Sequence, residues 1–244
     1  MRGSSTRWFV TMSLSLVVSL LSSMHVSAQD QPEYRAEIGA GAGLVSYLGD
    51  LNGSLLKNLQ PMGTLIGRYK MNPRMALALN VGLGQIKGSS KVDDTWYPEA
   101  QTKLLDFKGT LVDVGVRYEY NFWPYGTGRE YRGARRVTPF VALGLGGTFG
   151  SVKGSTLETD GKKSVAALNV PLGVGVKYKV AERLNLGFEW MVHFTLSDML
   201  DGMKDPYGIK SSGLFKNTDC YSMLNLSLTY DLWAKCKVCH NDRD

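Results

Sequence analysis

The sequence has little of what several protein classes depend on. It contains 3 cysteines and 3 histidines among 244 residues. Three cysteines are too few for a disulfide scaffold. Beyond residue 28, no apolar run approaches the roughly 18–20 residues that a membrane-spanning helix needs. A helical membrane protein is therefore excluded. The 28 glycines follow no three-residue period, which excludes collagen, and the charged fraction of 20% is too ordinary for a disordered tail.

The N-terminus has the composition of an export signal. Arg2 and Arg7 precede an apolar stretch over 8–21, and the small residues of 26–28 follow it. This order is typical of a secretory signal peptide, predicted here over residues 1–28. An uncleaved membrane anchor is the alternative interpretation.

Alternation of apolar and polar residues dominates the rest of the chain. Leu186, Phe188 and Trp190, for example, alternate with Gly187 and Glu189. Strict alternation over about ten residues indicates half-buried strands. Eight segments follow this rule: 34–44, 62–70, 75–83, 111–121, 140–149, 168–178, 184–195 and 223–232.

The connections between these segments alternate in length. Residues 71–74 and 180–183 are tight turns, and 122–138 is intermediate. The remaining connections are long, near 45–61, 86–109, 150–166 and 196–221. This pattern predicts an all-β, eight-stranded antiparallel up-and-down transmembrane barrel of the small OmpA/OmpX-like kind. It would occupy residues 29–233, with a periplasmic tail over 234–244 and both termini periplasmic, in the outer membrane.

Aromatic residues separate this prediction from a soluble, lipocalin-like barrel. Amphipathic rings favour a membrane interface, whereas a soluble core would distribute them through the strand middles. Eight aromatic residues fall at the predicted periplasmic strand ends: Tyr69, Tyr118, Tyr120, Phe122, Trp123, Tyr178, Tyr230 and Trp233. A membrane barrel in contact with outer-membrane lipid is favoured.

The polar face of the strands would then fill the lumen. Eight strands leave an interior just wide enough for side chains, and mixed charges there can pair. We expect a closed salt-bridge network, with a narrow solute path and a catalytic site on His193 with Glu189 as the alternatives. The predicted lumen charges are Arg35, Glu37, Arg68, Asp113, Arg117, Glu119, Lys177 and Glu189, together with His193 and Asp231.

The basic excess of the chain is concentrated in one predicted periplasmic connection, which rules against a nucleic-acid-binding face. It contains four arginines that suit carboxylate or phosphate partners: Arg129, Arg132, Arg135 and Arg136. Docking of a protein and attraction to lipid headgroups are both consistent with this pattern. We take the arginines as candidate partner-binding residues.

The tail contains the motif Cys236-x-x-Cys239-His240. It matches a c-type haem attachment pattern, but the tail is too short for a haem pocket and is one ligand short of a zinc site. We expect no cofactor and no metal. Cys220 is predicted at the opposite end of the last strand, so an intermolecular disulfide through Cys236 or Cys239 is the favoured use of the tail.

Several segments resemble a Bacteroidetes outer-membrane barrel family that includes PorG of the type IX secretion system. They are 38–52 with its Tyr47-x-Gly49-Asp50-Leu51, 69–77, 119–125, 171–178 and 186–190. The resemblance implies a non-enzymatic secretion component that anchors the periplasmic ring of the PorK lipoprotein and PorN. A small pore, an adhesin and a lipid-modifying enzyme are the alternatives. The enzyme is disfavoured because neither His193 nor His240 is placed as a catalytic base.

Overall fold

A computed structural model describes residues 32–48, 58–89, 106–127, 134–154, 163–196 and 219–234. These residues form a closed barrel in which each strand pairs with its chain neighbours and the first strand pairs with the last. The strands are β1 Tyr34–Leu48, β2 Gln60–Asn72, β3 Met75–Ser89, β4 Asp106–Asn121, β5 Val137–Gly154, β6 Lys163–Lys179, β7 Leu184–Thr195 and β8 Cys220–Ala234. Every pair is antiparallel.

The predicted fold class is confirmed. We call the end of the barrel where β1 begins and β8 ends the turn end, and the opposite end the loop end. The two tight turns, 73–74 and 180–183, lie at the turn end. The predicted signal peptide over 1–28 lies outside the described residues, and so does the predicted tail over 234–244 apart from Ala234, which ends β8.

The middle of the barrel has an apolar outer surface. Side chains alternate between lumen and exterior along each strand. Large apolar side chains on the exterior are widely exposed, for example Leu65 at 62% and Leu145 at 72%. A soluble barrel buries its apolar face, so this belt excludes the lipocalin-like alternative. Among the described residues, no helix is long and apolar enough to cross a membrane.

The alternation reverses towards the loop end, where the strands run up to six residues further than predicted. Here the inward positions are apolar and the outward positions are polar. The inward side chains form a buried cluster that we call the apolar plug: Val45, Tyr47, Met62, Ile86, Phe107, Leu111, Val152, Val165, Met191, Tyr221 and Met223. Such a reversal is expected where strands leave the hydrocarbon region, because water then replaces lipid around the barrel.

Aromatic side chains surround the turn end, as predicted. Tyr118 and Tyr120 are half-buried, and the other six are exposed: Tyr69, Phe122, Trp123, Tyr178, Tyr230 and Trp233. Trp233 has a left-handed backbone conformation, with φ of 51°. It is 73% exposed, although the alternation of β8 would direct it inwards.

Candidate functional site

A network of ion pairs fills the lumen between the apolar plug and the turn end. Arg68 on β2 donates from Nη1 to Glu37 Oε1 at 2.6 Å, and its Nε lies 3.0 Å from Glu119 Oε2. Lys177 Nζ on β6 lies 2.6 Å from the same Glu119 oxygen, and Arg117 Nε lies 3.0 Å from Oε1. Glu119 therefore holds three cations that come from three different strands.

The network extends across to β7 and β8. Arg117 Nη2 donates to Glu189 Oε2 at 2.5 Å, and Asn225 Nδ2 donates to Glu189 Oε1 at 3.1 Å. Thr229 donates its hydroxyl to Glu37. The charged side chains of this network are at most 4% exposed. Buried charges are tolerated when each is paired, and these pairs join side chains from β1, β2, β4, β6 and β7 across the interior.

Glycine makes room for this polar filling. A Cβ on Gly41 would lie 2.6 Å from both Thr64 Oγ1 and Asn225 Oδ1. These two atoms are themselves hydrogen-bonded at 3.1 Å. A larger residue at position 41 would displace them, which explains a glycine in the middle of a strand.

A second group of charges lies at the turn-end mouth of the lumen. Asp231 pairs with Lys70 and Lys179, each at 2.5 Å. Lys179 Nζ also donates to Asn185 Oδ1 at 3.2 Å. Lys70 and Lys179 were not predicted as lumen charges, although each lies two residues from a predicted one, Arg68 or Lys177, and so shares its face.

Residues 122–127, which follow β4, fold over this mouth. Tyr125 is buried, and its hydroxyl donates to Asn185 Oδ1 at 2.8 Å. Burial raises the pKa of the Tyr125 phenol, so the hydroxyl stays protonated and remains a donor. The Nζ atoms of Lys70 and Lys179 each lie 5.7 Å from the centre of its ring. Tyr125 thus closes the mouth, a role that its non-periodic segment did not reveal.

Other contacts hold the connection in this position. The backbone N–H of Tyr125 donates to the carbonyl oxygen of Pro73 at 3.0 Å. Thr127 donates its hydroxyl to Glu33 Oε1 at 2.7 Å. Arg136 Nε donates to the carbonyl oxygen of Thr127 at 3.0 Å, and the guanidinium of Arg135 lies 5.0 Å from the Trp123 ring centre. We call residues 122–127 and 134–136 the cap.

A cluster of hydrogen-bonded side chains around Asp113 lies between the ion network and the loop end. Tyr221 donates its hydroxyl to Asp113 Oδ2 at 2.6 Å, and Asn169 Nδ2 donates to the same oxygen at 2.6 Å. His193 stacks on the Tyr221 ring, with its Nδ1 3.0 Å from the hydroxyl. Tyr221 belongs to the apolar plug as well, so this cluster joins the ion network to the plug.

The predicted lumen residues fall into two groups. Seven are buried in the lumen, together with His193 and Asp231: Glu37, Arg68, Asp113, Arg117, Glu119, Lys177 and Glu189. The prediction for Arg35 is wrong, because this side chain is exposed. It lies at the rim of β1, opposite Trp233, where the pairing of β1 with β8 skips one position.

The predicted partner-binding residues are only partly described. Arg135 and Arg136 are exposed in the cap. Arg129, Arg132, Cys236 and Cys239 lie outside the described residues. Within the described ranges, no three His, Cys, Asp or Glu side chains are grouped to hold a metal ion.

The architecture is that of the small outer-membrane barrels, and a sequence family includes this chain. Residues 11–241 match a family described as "Domain of unknown function (DUF6089)", and the chain belongs to that family. None of the curated proteins matches the chain in sequence.

Solved outer-membrane proteins align with this chain at low sequence identity. Neisserial surface protein A (NspA) aligns with a TM-score of 0.52 and 13% identity, over 81% of this chain and 97% of that one. The attachment invasion locus protein Ail of Yersinia pestis, crystallised with the heparin analogue sucrose octasulfate, gives 0.48 and 13%, over 82% and 99%. The outer membrane protein OprG of Pseudomonas aeruginosa gives 0.43 and 13%, over 84% and 99%. The likeness to NspA supports the fold.

Proposed function

We propose that this chain is a non-enzymatic outer-membrane barrel that anchors a periplasmic assembly, the PorK/PorN ring of the type IX secretion system. Both termini and the turn end would face the periplasm. The exposed apolar belt supports a bilayer location, and the filled lumen argues against a transport path. The sequence resemblance to the family of PorG supplies the identity of the partners.

The observation that carries the proposal is the charge of the turn end. Among the described residues at this end, Glu182 is the one exposed acid. Five arginines are exposed there: Arg35, Arg74, Arg135, Arg136 and Arg183. Guanidinium groups bind carboxylates in a bidentate fashion and keep their charge at any physiological pH. A folded cap that bears arginines fits an acidic protein surface on the periplasmic side.

The test is affinity purification from native membranes under non-reducing conditions. Tagged protein should recover PorK and PorN, and the double variant R135E/R136E should recover at least about tenfold less, since reversal replaces attraction with repulsion. The matched control K87E/K108E reverses two exposed charges at the loop end and should recover the ring proteins normally. Absence of ring proteins from the wild-type sample, with and without crosslinking, contradicts the proposal.

A further inference from the structure

Three lysines form a continuous row on the outer wall of the barrel near the loop end. The strand register places Lys87 of β3 directly opposite Lys108 of β4, and Lys108 directly opposite Lys153 of β5. All three side chains are exposed. We call Lys87, Lys108 and Lys153 the lysine row. It arises from the long loop-end extensions of β3, β4 and β5, which the sequence analysis did not predict.

The lysine row lies just beyond the apolar belt. Outward positions on a strand are two residues apart. The next outward positions towards the middle of the barrel are uncharged and polar: Gln85, Thr110, Ser151 and Ser164. One further step reaches the apolar side chains Leu83, Val112 and Phe149. Two such steps are four residues, or roughly 14 Å along a strand. The exterior thus changes from apolar to polar to cationic over these four residues, in the direction of the loop end.

The arrangement has an electrostatic cost that the described protein does not offset. Like charges on directly opposite residues of an antiparallel pair destabilise the sheet. Within the described ranges, none of the three ammonium groups forms a salt bridge or hydrogen bond with another residue. Asp106, which begins β4 two residues before Lys108, is the nearest acidic position on that strand.

We propose that the lysine row binds the phosphate groups of a phosphorylated glycolipid in the outer leaflet. Lysine ammonium groups are phosphate binders that act as point charges. The row is on the lateral wall, where Leu83 and Phe149 below it would contact the acyl chains of the same lipid. A lipid therefore fits both the charge and the position. The inference rests on the proposed membrane and orientation, with the loop end outside the cell.

The experiment is a lipid titration of the purified, refolded full chain, followed by native mass spectrometry. The probes are bisphosphorylated, monophosphorylated and dephosphorylated lipid A with the same acyl chains. The wild-type protein should bind the bisphosphorylated form most tightly and the dephosphorylated form least. The triple variant K87Q/K108Q/K153Q should weaken binding of the bisphosphorylated form by roughly 100-fold at low salt, because each basic residue near an anionic surface contributes about fivefold.

A control variant and a competition experiment distinguish specific lipid binding from a general effect of charge. The variant R74Q/R135Q/R183Q removes the same number of charges at the turn end and should bind lipid A like the wild type. A triple variant that binds as well as the wild type, or an equal loss in both variants, overturns the proposal. Displacement by inorganic phosphate at concentrations equal to the lipid would show a simple anion site and overturn the lipid assignment.

The measurement is independent of ring anchoring. It uses purified barrel without PorK or PorN, so loss of glycolipid binding and loss of ring recovery are separate results. Retention of the heat-dependent gel shift of a folded barrel shows that each variant is folded. The substituted lysines and arginines are all exposed, so we expect both variants to pass this check.

Discussion

Arg68 reaches from β2 across the neighbouring strand to Glu119 on β4, donating from Nε to both carboxylate oxygens at 3.2 and 3.0 Å. The two strands are not paired with one another, since β3 lies between them. The side-chain contact therefore passes over the inner face of β3 and links two strands that share no backbone hydrogen bonds. Because Glu119 also holds Arg117 and Lys177, this carboxylate is the centre of the closed interior.

Neutralising Glu119 should destabilise the barrel strongly. Glu119→Gln leaves three buried cations with less compensating charge, and breaking a buried pair in this way costs about 3–5 kcal/mol of unfolding free energy. The matched control Glu182→Gln alters an exposed residue in a turn and should change stability by no more than about 0.5 kcal/mol. Urea unfolding in lipid vesicles, followed by tryptophan fluorescence, measures both. Equal stability of the two variants would mean that the network is not structural.

Removing the Tyr125 ring should release the cap. Tyr125→Phe loses one hydrogen bond to Asn185, a cost of about 1 kcal/mol. Tyr125→Ala also loses the packing of the buried ring, a cost of about 3 kcal/mol or more. Trypsin cleavage after Arg135 and Arg136 should therefore become faster in the alanine variant. Tyr69→Ala on the outer wall is the control and should be cleaved at the wild-type rate. An unchanged cleavage rate in Tyr125→Ala would contradict the claim that the Tyr125 ring holds the cap in place.

The barrel should not conduct ions. In planar bilayers the wild-type protein should give no stable, well-defined open channel, because the ion network and the apolar plug both close the lumen. Tyr125→Ala should remain silent as well, since the apolar plug is at the opposite end and is untouched. A steady channel in the wild-type protein would support the pore alternative.

The tail cysteines should form an intermolecular disulfide in an oxidising compartment. Non-reducing gels of native membranes should show a larger species that disappears in Cys236→Ser/Cys239→Ser. Cys220→Ser is the control and should leave that species intact, because Cys220 begins β8 at the opposite end from the tail. A single monomer band in the wild-type sample, unchanged by the tail substitutions, would exclude the bridge.

Strand number, order and most lumen charges followed from the alternation of the sequence. Once the apolar face of each strand was assigned to lipid, the opposite face placed Glu37, Arg117 and Glu189 in the interior. The strand extensions were missed because the apolar face changes sides: Ile86 and Leu111 point inwards, whereas the predicted pattern had apolar residues pointing to lipid.

The remaining differences arise where periodicity no longer determines position. Arg35 has the parity of a lumen residue, but it lies at the rim opposite Trp233, whose left-handed backbone leaves the strand geometry. Tyr125 lies in an aperiodic connection, and its burial depends on tertiary contacts with Asn185 and Pro73. The lysine row required the register between strands, which alternation within one strand does not supply.

The central claim is that the turn end docks a periplasmic ring, and site-specific photocrosslinking in living cells tests it most directly. A photoreactive amino acid at Arg136 in the cap should give covalent adducts that contain PorK or PorN, whereas the same group at Lys153 in the lysine row should not. Adducts with ring proteins from position 136 alone are the predicted result. Absence of any protein adduct from position 136, in a folded barrel that still reaches the outer membrane, would contradict the account.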